Sequence, residues 1–164
     1  MDPAQIKQFV KEIPIFAGLA DRPLEKLIEL MKERSLPADS VVFSEGDAAR
    51  DMYVILAGQV KVVKRSSRGG IERTLALMKR GDCFGEMALI DVLPRSATVR
   101  TIEPAELVSV SIADLYALYK YDTEGYAFLV MNIARELSRR LRRADQIIVD
   151  FFVSVDDYLS GAIG

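Results

Sequence analysis

The sequence predicts a mainly β domain with flanking helices. This is an α+β fold in which a closed antiparallel barrel or jelly roll (a double-stranded β-helix) lies between two sets of helices. Apolar residues recur at helical spacing in residues 1–34, change to short strand-like runs in 35–111, and return to helical spacing in 111–164. The chain contains no internal repeat, and its 164 residues suit one compact domain.

Two helices are predicted before the strands. Asp2 can cap a helix that has Pro3 at its first position and Gln5 three residues after the cap. Asp21 and Pro23 predict a second helix start in the same way. Apolar residues follow each start three or four positions apart: Ile6, Phe9 and Val10 in the first helix, and Leu24, Leu27, Ile28 and Met31 in the second.

Short β runs separated by Gly and Asp turns fill the middle of the chain. The segments Glu45-Gly46-Asp47 and Gly81-Asp82 are typical of turns between strands. Many short strands with such punctuation favour an antiparallel barrel or jelly roll. The predicted runs are residues 41–43, 52–56, 60–62, 71–78, 98–102 and 106–110.

Two further helices are predicted after the strands. Ser111 and Asp114 have the spacing of a capping box, and Asp122-Thr123 can cap a long helix that reaches at least Asp150. Apolar residues on this helix alternate four and three positions apart, which is a heptad seam. Such a seam either packs on its own barrel or pairs with a second helix, and the regular spacing favours a parallel dimer. Its members are Val130, Ala134, Leu137, Leu141, Ala144, Ile148, Phe151 and Val155.

The composition excludes several classes of site. The chain has 22 basic and 24 acidic residues, no His and one Cys. It therefore cannot build a His metal site, a His-assisted nucleophile, an intrachain disulfide or a Cys-cluster zinc site. We expect no enzyme activity, no metal and no cofactor. A metal enzyme of the cupin type on a similar double-sheet barrel is disfavoured, because its sites resemble His-rich clusters. No signal peptide and no apolar run near the ~18 residues of a membrane span are present, so we expect a cytoplasmic protein without a membrane partner.

One stretch, FGEMALIDVLPRSATV at residues 84–99, is far more specific than the rest. A short apolar helical turn at 87–90 leaves its first amide N–H groups without partners, and such groups attract an anion. Arg95 offers a planar fork suited to two phosphate oxygens, and Ser96 adds a hydroxyl donor. A carboxylate beside an anion site would normally be repelled by the anion, so Glu86 indicates that the ligand also presents hydroxyl donors. These features predict a nucleotide whose phosphate and ribose lie close together.

At this point the sequence resembles the cyclic nucleotide-binding domains, which include the bacterial catabolite activators and the regulatory subunits of cyclic AMP-dependent protein kinase. Their phosphate-binding cassette reads F-G-E-x-A-L, a spacer, and then P-R-x-A-T-V. This chain matches it with Phe84, Gly85, Glu86, Ala88, Leu89, Pro94, Arg95, Ala97, Thr98 and Val99. Matching pieces upstream are Ile15-Phe16 with Leu19, Glu45-Gly46-Asp47, Tyr53-Val54-Ile55, Gly58 with Val60 and Val62, and Gly81-Asp82. The resemblance covers roughly residues 13 to 145.

The resemblance implies a role for each site residue. Glu86 and the Gly85 amide hold the ribose 2′-OH, while Arg95, Ser96 and the amides of Met87 and Ala88 hold the cyclic phosphate. The walls and the base site are implied at Phe84, Val62, Leu75, Ala76, Arg140 and Leu141. The ligand is expected to be cyclic AMP first and cyclic GMP next.

The resemblance also raises the question of how ligand binding is passed on to another domain or protein. Catabolite activators carry a helix-turn-helix domain after this helix, whereas only about twenty residues follow Arg143 here, so we expect no DNA-binding domain. We expect a stand-alone regulatory module that acts through its C-terminal helix on a second copy or a partner protein. The alternative is a nucleotide-independent dimerising scaffold on the same fold. Cys83 is interpreted as buried filler, and Arg135, Arg139, Arg140, Arg142 and Arg143 as a solvated helix face. The alternative is a base or phosphate contact from Arg140, which would favour guanine as the base.

Overall fold

The computed structural model describes residues 3–66, 70–91 and 93–161. Helices α1 (Pro3–Lys11) and α2 (Asp21–Leu30) precede the strands, and α3 (Ile112–Tyr121) and α4 (Thr123–Gly161) follow them. A short 3-10 helix, Glu86–Leu89, interrupts the strands and is called the cassette helix below. The predicted Asp2 cap lies outside the described residues. The strands are β1 (Lys32–Leu36), β2 (Val41–Phe43), β3 (Asp51–Ala57), β4 (Gln59–Arg65), β5 (Glu72–Lys79), β6 (Cys83–Phe84), β7 (Thr98–Thr101) and β8 (Ala105–Ser111).

The eight strands form two antiparallel sheets of four. The order is β1-β8-β3-β6 in the first sheet and β2-β7-β4-β5 in the second. The predicted fold class, a mainly β jelly roll with flanking helices and a long C-terminal helix, is confirmed. Among the described residues the two sheets are not hydrogen-bonded into a closed barrel, however, because β6 is only two residues long and the chain leaves the sheet at Gly85, whose φ is +76°.

The first strand begins earlier than expected. The predicted helical region extended to residue 34, but α2 ends at Leu30 and Met31 is already extended, with φ −60° and ψ 141°. Residues 32–36 pair antiparallel with β8. This strand, KERSL, lacks the apolar alternation that marks a strand in a sequence, and its pairing with β8 determines its conformation.

Two apolar cores meet at β3. Met52, Val54 and Leu56 face the helices, and they join the larger core formed with α1 to α4. Tyr53 and Ile55 point to the other side, into the core between the two sheets. Because successive side chains of a strand point to opposite faces, β3 is buried on both. β3 therefore joins the core between the two sheets to the core under the helices.

The N-terminal caps of α3 and α4 form as predicted. Ser111 Oγ accepts from the Asp114 amide at 3.1 Å, and Asp114 Oδ2 accepts from the Ser111 amide at 2.8 Å. Asp122 Oδ1 accepts from the Gly125 amide at 2.8 Å, at the start of α4. These bonds supply partners for donors that a helix start otherwise leaves unpaired.

Helix α4 has 39 residues and a length of about 58 Å, but only its first half packs on the domain. The packed side is formed by Leu129 and Ile133, which are buried, and by the partly buried Leu137. The side chains described between Leu141 and Tyr158 are all exposed. The heptad seam thus shares Leu137 with the core and leaves its later members uncovered.

Within the described residues, no helix combines the length and the apolar character needed to cross a bilayer. Helix α4 is long enough, but it carries too many charged side chains. The same residues bring together no group of three or more His, Cys, Asp or Glu side chains suited to a metal ion.

Candidate functional site

A cavity of about 680 Å³ opens between the second sheet, the cassette and α4. This volume lies within the usual range for small-molecule sites. All six residues predicted for ribose and phosphate line it: Gly85, Glu86, Met87, Ala88, Arg95 and Ser96. Segments distant in the sequence therefore converge on one space.

The residues predicted for the wall and base are also brought to this cavity, with one exception. The lining includes Phe84, Val62, Leu75, Ala76 and Arg140. Leu141 is not among the lining residues, and 64% of its surface is exposed.

Gly85 allows the close packing on which the site depends. Its φ of +76° is disfavoured for residues that carry a Cβ, and it turns the chain from β6 into the cassette helix. A Cβ at this position would lie 2.7 Å from Arg95 Nη1 and 3.1 Å from the Asp51 carbonyl. Only glycine lets the Arg95 guanidinium lie against this turn.

The loop that carries Arg95 is tied to an earlier turn. The Arg95 amide donates to the Asp47 carbonyl at 2.9 Å, and the Gly46 amide donates to the Arg95 carbonyl at 2.8 Å. Asp47 Oδ2 in turn accepts from the Ser44 amide at 2.8 Å. The Glu-Gly-Asp motif upstream therefore positions the backbone of Arg95.

Arg95 is a buried cation with incomplete bonding. Only 7% of its surface is exposed, and its Nη1 donates to the Gly85 carbonyl at 3.3 Å. Its guanidinium carbon lies 3.9 Å from the centre of the Phe43 ring. Its Nε is buried with no hydrogen-bond partner in the described part of the chain. Burial lowers the pKa of the guanidinium, and nearby negative groups only partly oppose this. An anion in the cavity would supply the missing partner.

Glu86 is the complementary buried anion. Only 3% of its surface is exposed, and its Oε1 accepts from Arg140 Nη1 at 2.9 Å. Its Oε2 is buried and has no partner among the described residues. Burial raises the pKa of this carboxyl, and the charge of Arg140 acts in the opposite direction without cancelling the effect. One oxygen is thus bonded to protein, and the other is available for a donor group of a ligand.

Arg140 connects α4 to the cassette. Its Nη2 donates to the Cys83 carbonyl at 2.6 Å, and its Nε donates to Glu136 Oε1 at 3.0 Å. Burial tends to lower the pKa of Arg140, but the charge of Glu86 reverses this and the net pKa is raised. Each of its three nitrogens therefore has a protein acceptor, and the docked half of α4 is bonded directly to the Glu86 carboxylate.

The other residues predicted to hold the phosphate differ in exposure: Ala88 is buried, whereas Met87 is exposed. Ser96 is exposed, and its carbonyl accepts from Lys64 Nζ at 2.6 Å. The Ala88 amide donates to the Gly85 carbonyl at 3.3 Å within the cassette helix. This long bond already occupies one of the two amides expected to bind the phosphate.

Sequence reasoning missed the part of α4 that lies over the cavity. The lining includes Arg143, Ala144 and Ile147, one turn beyond the residues predicted for the base. Together with Glu136 and Arg140 they recur three or four positions apart, which is one face of a helix. That spacing is visible in the sequence, but the direction in which this face points depends on how α4 packs.

Comparisons with known proteins agree with this geometry. The family model described as "Cyclic nucleotide-binding domain" matches residues 33–122. The chain is 35% identical over 136 residues to "Cyclic AMP receptor protein" of Thermus thermophilus, covering 83% of this chain and 61% of that relative. A solved cyclic nucleotide-binding domain from Methylobacillus flagellatus superposes with a TM-score of 0.79 at 27% identity, covering 89% of this chain and 82% of the other.

A second solved structure superposes less closely at the same identity. The regulatory domain of Toxoplasma gondii PKA, crystallised with cAMP, superposes with a TM-score of 0.66 at 27% identity. The match covers 71% of this chain and 44% of that one. The chain spans less than two thirds of the length of the first curated relatives that it matches. Since the family model covers more than half of the chain, the protein belongs to the cyclic nucleotide-binding domain family.

Proposed function

We propose that this chain is a regulatory, non-catalytic module that binds a cyclic nucleotide in the cavity between the cassette and α4. The cyclic phosphate is held by Arg95 and Ser96 with the Met87 amide, and with the Ala88 amide if its bond to Gly85 opens. The ribose 2′-OH donates to Glu86.

The observation that carries this proposal is a pair of unsatisfied polar atoms beside one cavity. Arg95 Nε and Glu86 Oε2 are buried and without partners in the described residues, and both side chains line the cavity. Such orphan groups are costly and rare in native proteins. A ligand that presents an anionic oxygen to the arginine and a hydroxyl donor to the carboxylate satisfies both.

Cyclic AMP is the first candidate and cyclic GMP the second. Two relatives, a cyclic AMP receptor protein and a PKA regulatory domain crystallised with cAMP, support this order. An arginine that bridges the O6 and N7 of guanine would favour cyclic GMP. Arg140, the first candidate for such a contact, has protein acceptors at all three nitrogens, so it no longer argues for guanine. Arg143 is the remaining arginine of α4 that lines the cavity, and cyclic GMP therefore stays second.

The output is proposed to pass through α4 to a second copy or a partner protein. Arg140 joins the carboxylate that meets the ribose to the helix that extends from the domain. Nucleotide binding then shifts the population of α4 positions, because it changes the environment of Glu86. The exposed apolar residues beyond Leu141 carry that shift to the partner.

Calorimetric titration of nucleotide-free protein tests the ligand. We expect saturable binding of cyclic AMP, with cyclic GMP competing more weakly and 5′-AMP binding poorly as the matched control. No heat with either cyclic nucleotide up to high micromolar concentration contradicts the proposal. A chain that self-associates without binding either nucleotide supports the scaffold alternative instead.

A further inference from the structure

The loop that carries both phosphate-site side chains, Arg95 and Ser96, is tied to the turn at residues 45–47. The two bonds described above join the Arg95 backbone to this turn. The same turn donates a third bond, from a backbone amide to Thr98 Oγ1 at 2.9 Å. These bonds flank Ser96 on both sides but do not hold its own carbonyl. The direction of the Ser96 hydroxyl therefore depends on a further contact.

Lys64 makes that contact from the neighbouring strand. It lies near the end of β4, directly after Val63, which is the last β4 residue paired with β7. Its Nζ donates to the Ser96 carbonyl at 2.6 Å, a short hydrogen bond from a charged donor. Lys64 is not among the described residues that line the cavity. Its amine therefore acts on a ligand through the Ser96 peptide and not by contact.

A carboxylate of the turn holds the lysine in this position. Glu45 Oε1 lies 3.4 Å from Lys64 Nζ, and Glu45 Oε2 accepts from the Arg65 amide at 3.4 Å. Glu45 thus joins the end of β4 to the turn that also holds Arg95. The side chains of Lys64 and Glu45 are 47% and 36% exposed, so their mutual attraction is that of a weak surface pair. The importance of the lysine lies in the peptide that it binds.

We propose that Lys64 is a positioning residue of the phosphate site. Its bond holds the Ser96 peptide and so directs the Ser96 hydroxyl toward the anion that Arg95 binds. This inference rests on the proposed function, because it assigns Lys64 a role at the same phosphate. It adds a residue that lies outside the cassette pattern, on a strand twenty residues before Phe84.

A double-mutant cycle on the full chain, measured by calorimetric titration with cyclic AMP, tests the link between the two residues. Lys64→Met removes the charge and the donor but keeps an unbranched side chain. Ser96→Ala removes the hydroxyl and should weaken binding about tenfold or more, the lower value for a hydrogen bond to a charged group. Lys64→Met should weaken binding about three- to tenfold in the wild-type chain. It should weaken binding by less than about twofold in Ser96→Ala, where no hydroxyl remains to be directed.

Two further variants serve as controls for this cycle. Lys61→Met is the matched one, because Lys61 also lies on β4 and is not among the described residues that line the cavity. It should change the affinity by less than about twofold. Lys64→Arg keeps a charged donor and should restore most of the affinity. Equal losses from Lys64→Met in both backgrounds would overturn the positioning role. A loss that disappears at high salt would also overturn it, since that result shows a distant effect of charge on the phosphate.

Hydrogen exchange of the unliganded variants gives a readout that needs no nucleotide. If Lys64 holds the loop, Lys64→Met should speed exchange of the Arg95 and Gly46 amides by about threefold or more, while Lys61→Met leaves it unchanged. Faster exchange in a chain that binds neither cyclic nucleotide defeats the proposed ligand only and leaves Lys64 as the residue that holds this loop. Nucleotide binding that is as tight in Lys64→Met as in the wild type, with unchanged exchange, defeats this inference only.

Discussion

Replacing Arg95 by methionine should separate ligand binding from stability. Methionine keeps most of the apolar volume of the side chain but removes the charge and every donor. The substitution should lower nucleotide affinity but should not lower the stability of the unliganded protein. Without a ligand the buried guanidinium is poorly bonded, whereas a bound anion would stabilise it.

The loss of affinity follows from the bonds that the fork would make. A hydrogen bond to a charged group contributes ~1.5–3 kcal/mol, and two such bonds to a cyclic phosphate contribute about 3–6 kcal/mol. The variant should therefore bind nucleotide roughly 10²- to 10⁴-fold more weakly. The measurement is calorimetric titration, with Arg100→Met as the matched control. Arg100 is a basic residue on β7 that lies 3.9 Å from Glu72 and does not line the cavity, so its variant should bind within about twofold of wild type.

The thermal midpoint of the unliganded variant should stay unchanged or rise. The substitution loses one 3.3 Å bond to Gly85 and the stacking on Phe43, a contact of about 0.5–2 kcal/mol. It also relieves the desolvation of a buried charge, which costs several kcal/mol when no good partner is present. Affinity within fivefold of wild type would refute the reasoning on the phosphate site. A midpoint lowered by more than about 4 °C, roughly what a loss of 1–2 kcal/mol produces in a chain of this size, would refute the claim that Arg95 is costly when unliganded.

Three other predictions concern the cassette. Burial raises the pKa of Glu86, so nucleotide affinity should fall as the pH drops through that raised value, and Glu86→Gln should bind weakly with a flat pH profile. The folded state binds this proton more tightly than the unfolded state, so the unliganded protein should lose stability as the pH rises from the ordinary glutamate range through the raised pKa, as melting curves at several pH values would show. Gly85→Ala should lower both the midpoint and the affinity. Gly81 has a similar φ of +90°, but a Cβ there would have no heavy atom within 4 Å. Gly81→Ala should therefore lower stability only by the ~1–2 kcal/mol of backbone strain and leave nucleotide binding unchanged. Equal losses in the Gly85 and Gly81 variants would refute the contact argument. Arg140→Gln should move the pH midpoint of binding upward and speed hydrogen exchange in α4, and an unmoved midpoint would show that Arg140 does not tune the carboxylate.

The cassette could be predicted from the sequence because its function depends on local spacing. Gly85 and Glu86 follow a strand directly, and Arg95 returns to the same turn through a short loop. Their convergence therefore requires little knowledge of the rest of the fold. The loop bonds to Gly46 and Asp47 show why a motif forty residues upstream accompanies it.

The residues that were missed depend on long-range packing. Which face of α4 covers the cavity is set by Leu129 and Ile133, which pack into the core about three to four turns before Arg143. The heptad spacing indicated a seam but could not assign Leu141 to the outer side and Ala144 to the cavity. In the same way, the polar strand β1 exists because β8 offers it an edge, and the closing of the sheets depends on how far β6 extends.

The division of the Glu86 carboxylate between two partners has a thermodynamic consequence. One oxygen is held by a side chain of α4, and the other is buried with no partner among the described residues. Suppose that a ligand bonded to the second oxygen stabilises the docked position of α4 by some factor. Any contact that stabilises this docked position must then raise the affinity for the ligand by the same factor. The apparent nucleotide affinity of this protein is therefore a property of its assembly state, and it should vary with protein concentration when α4 pairs with another chain.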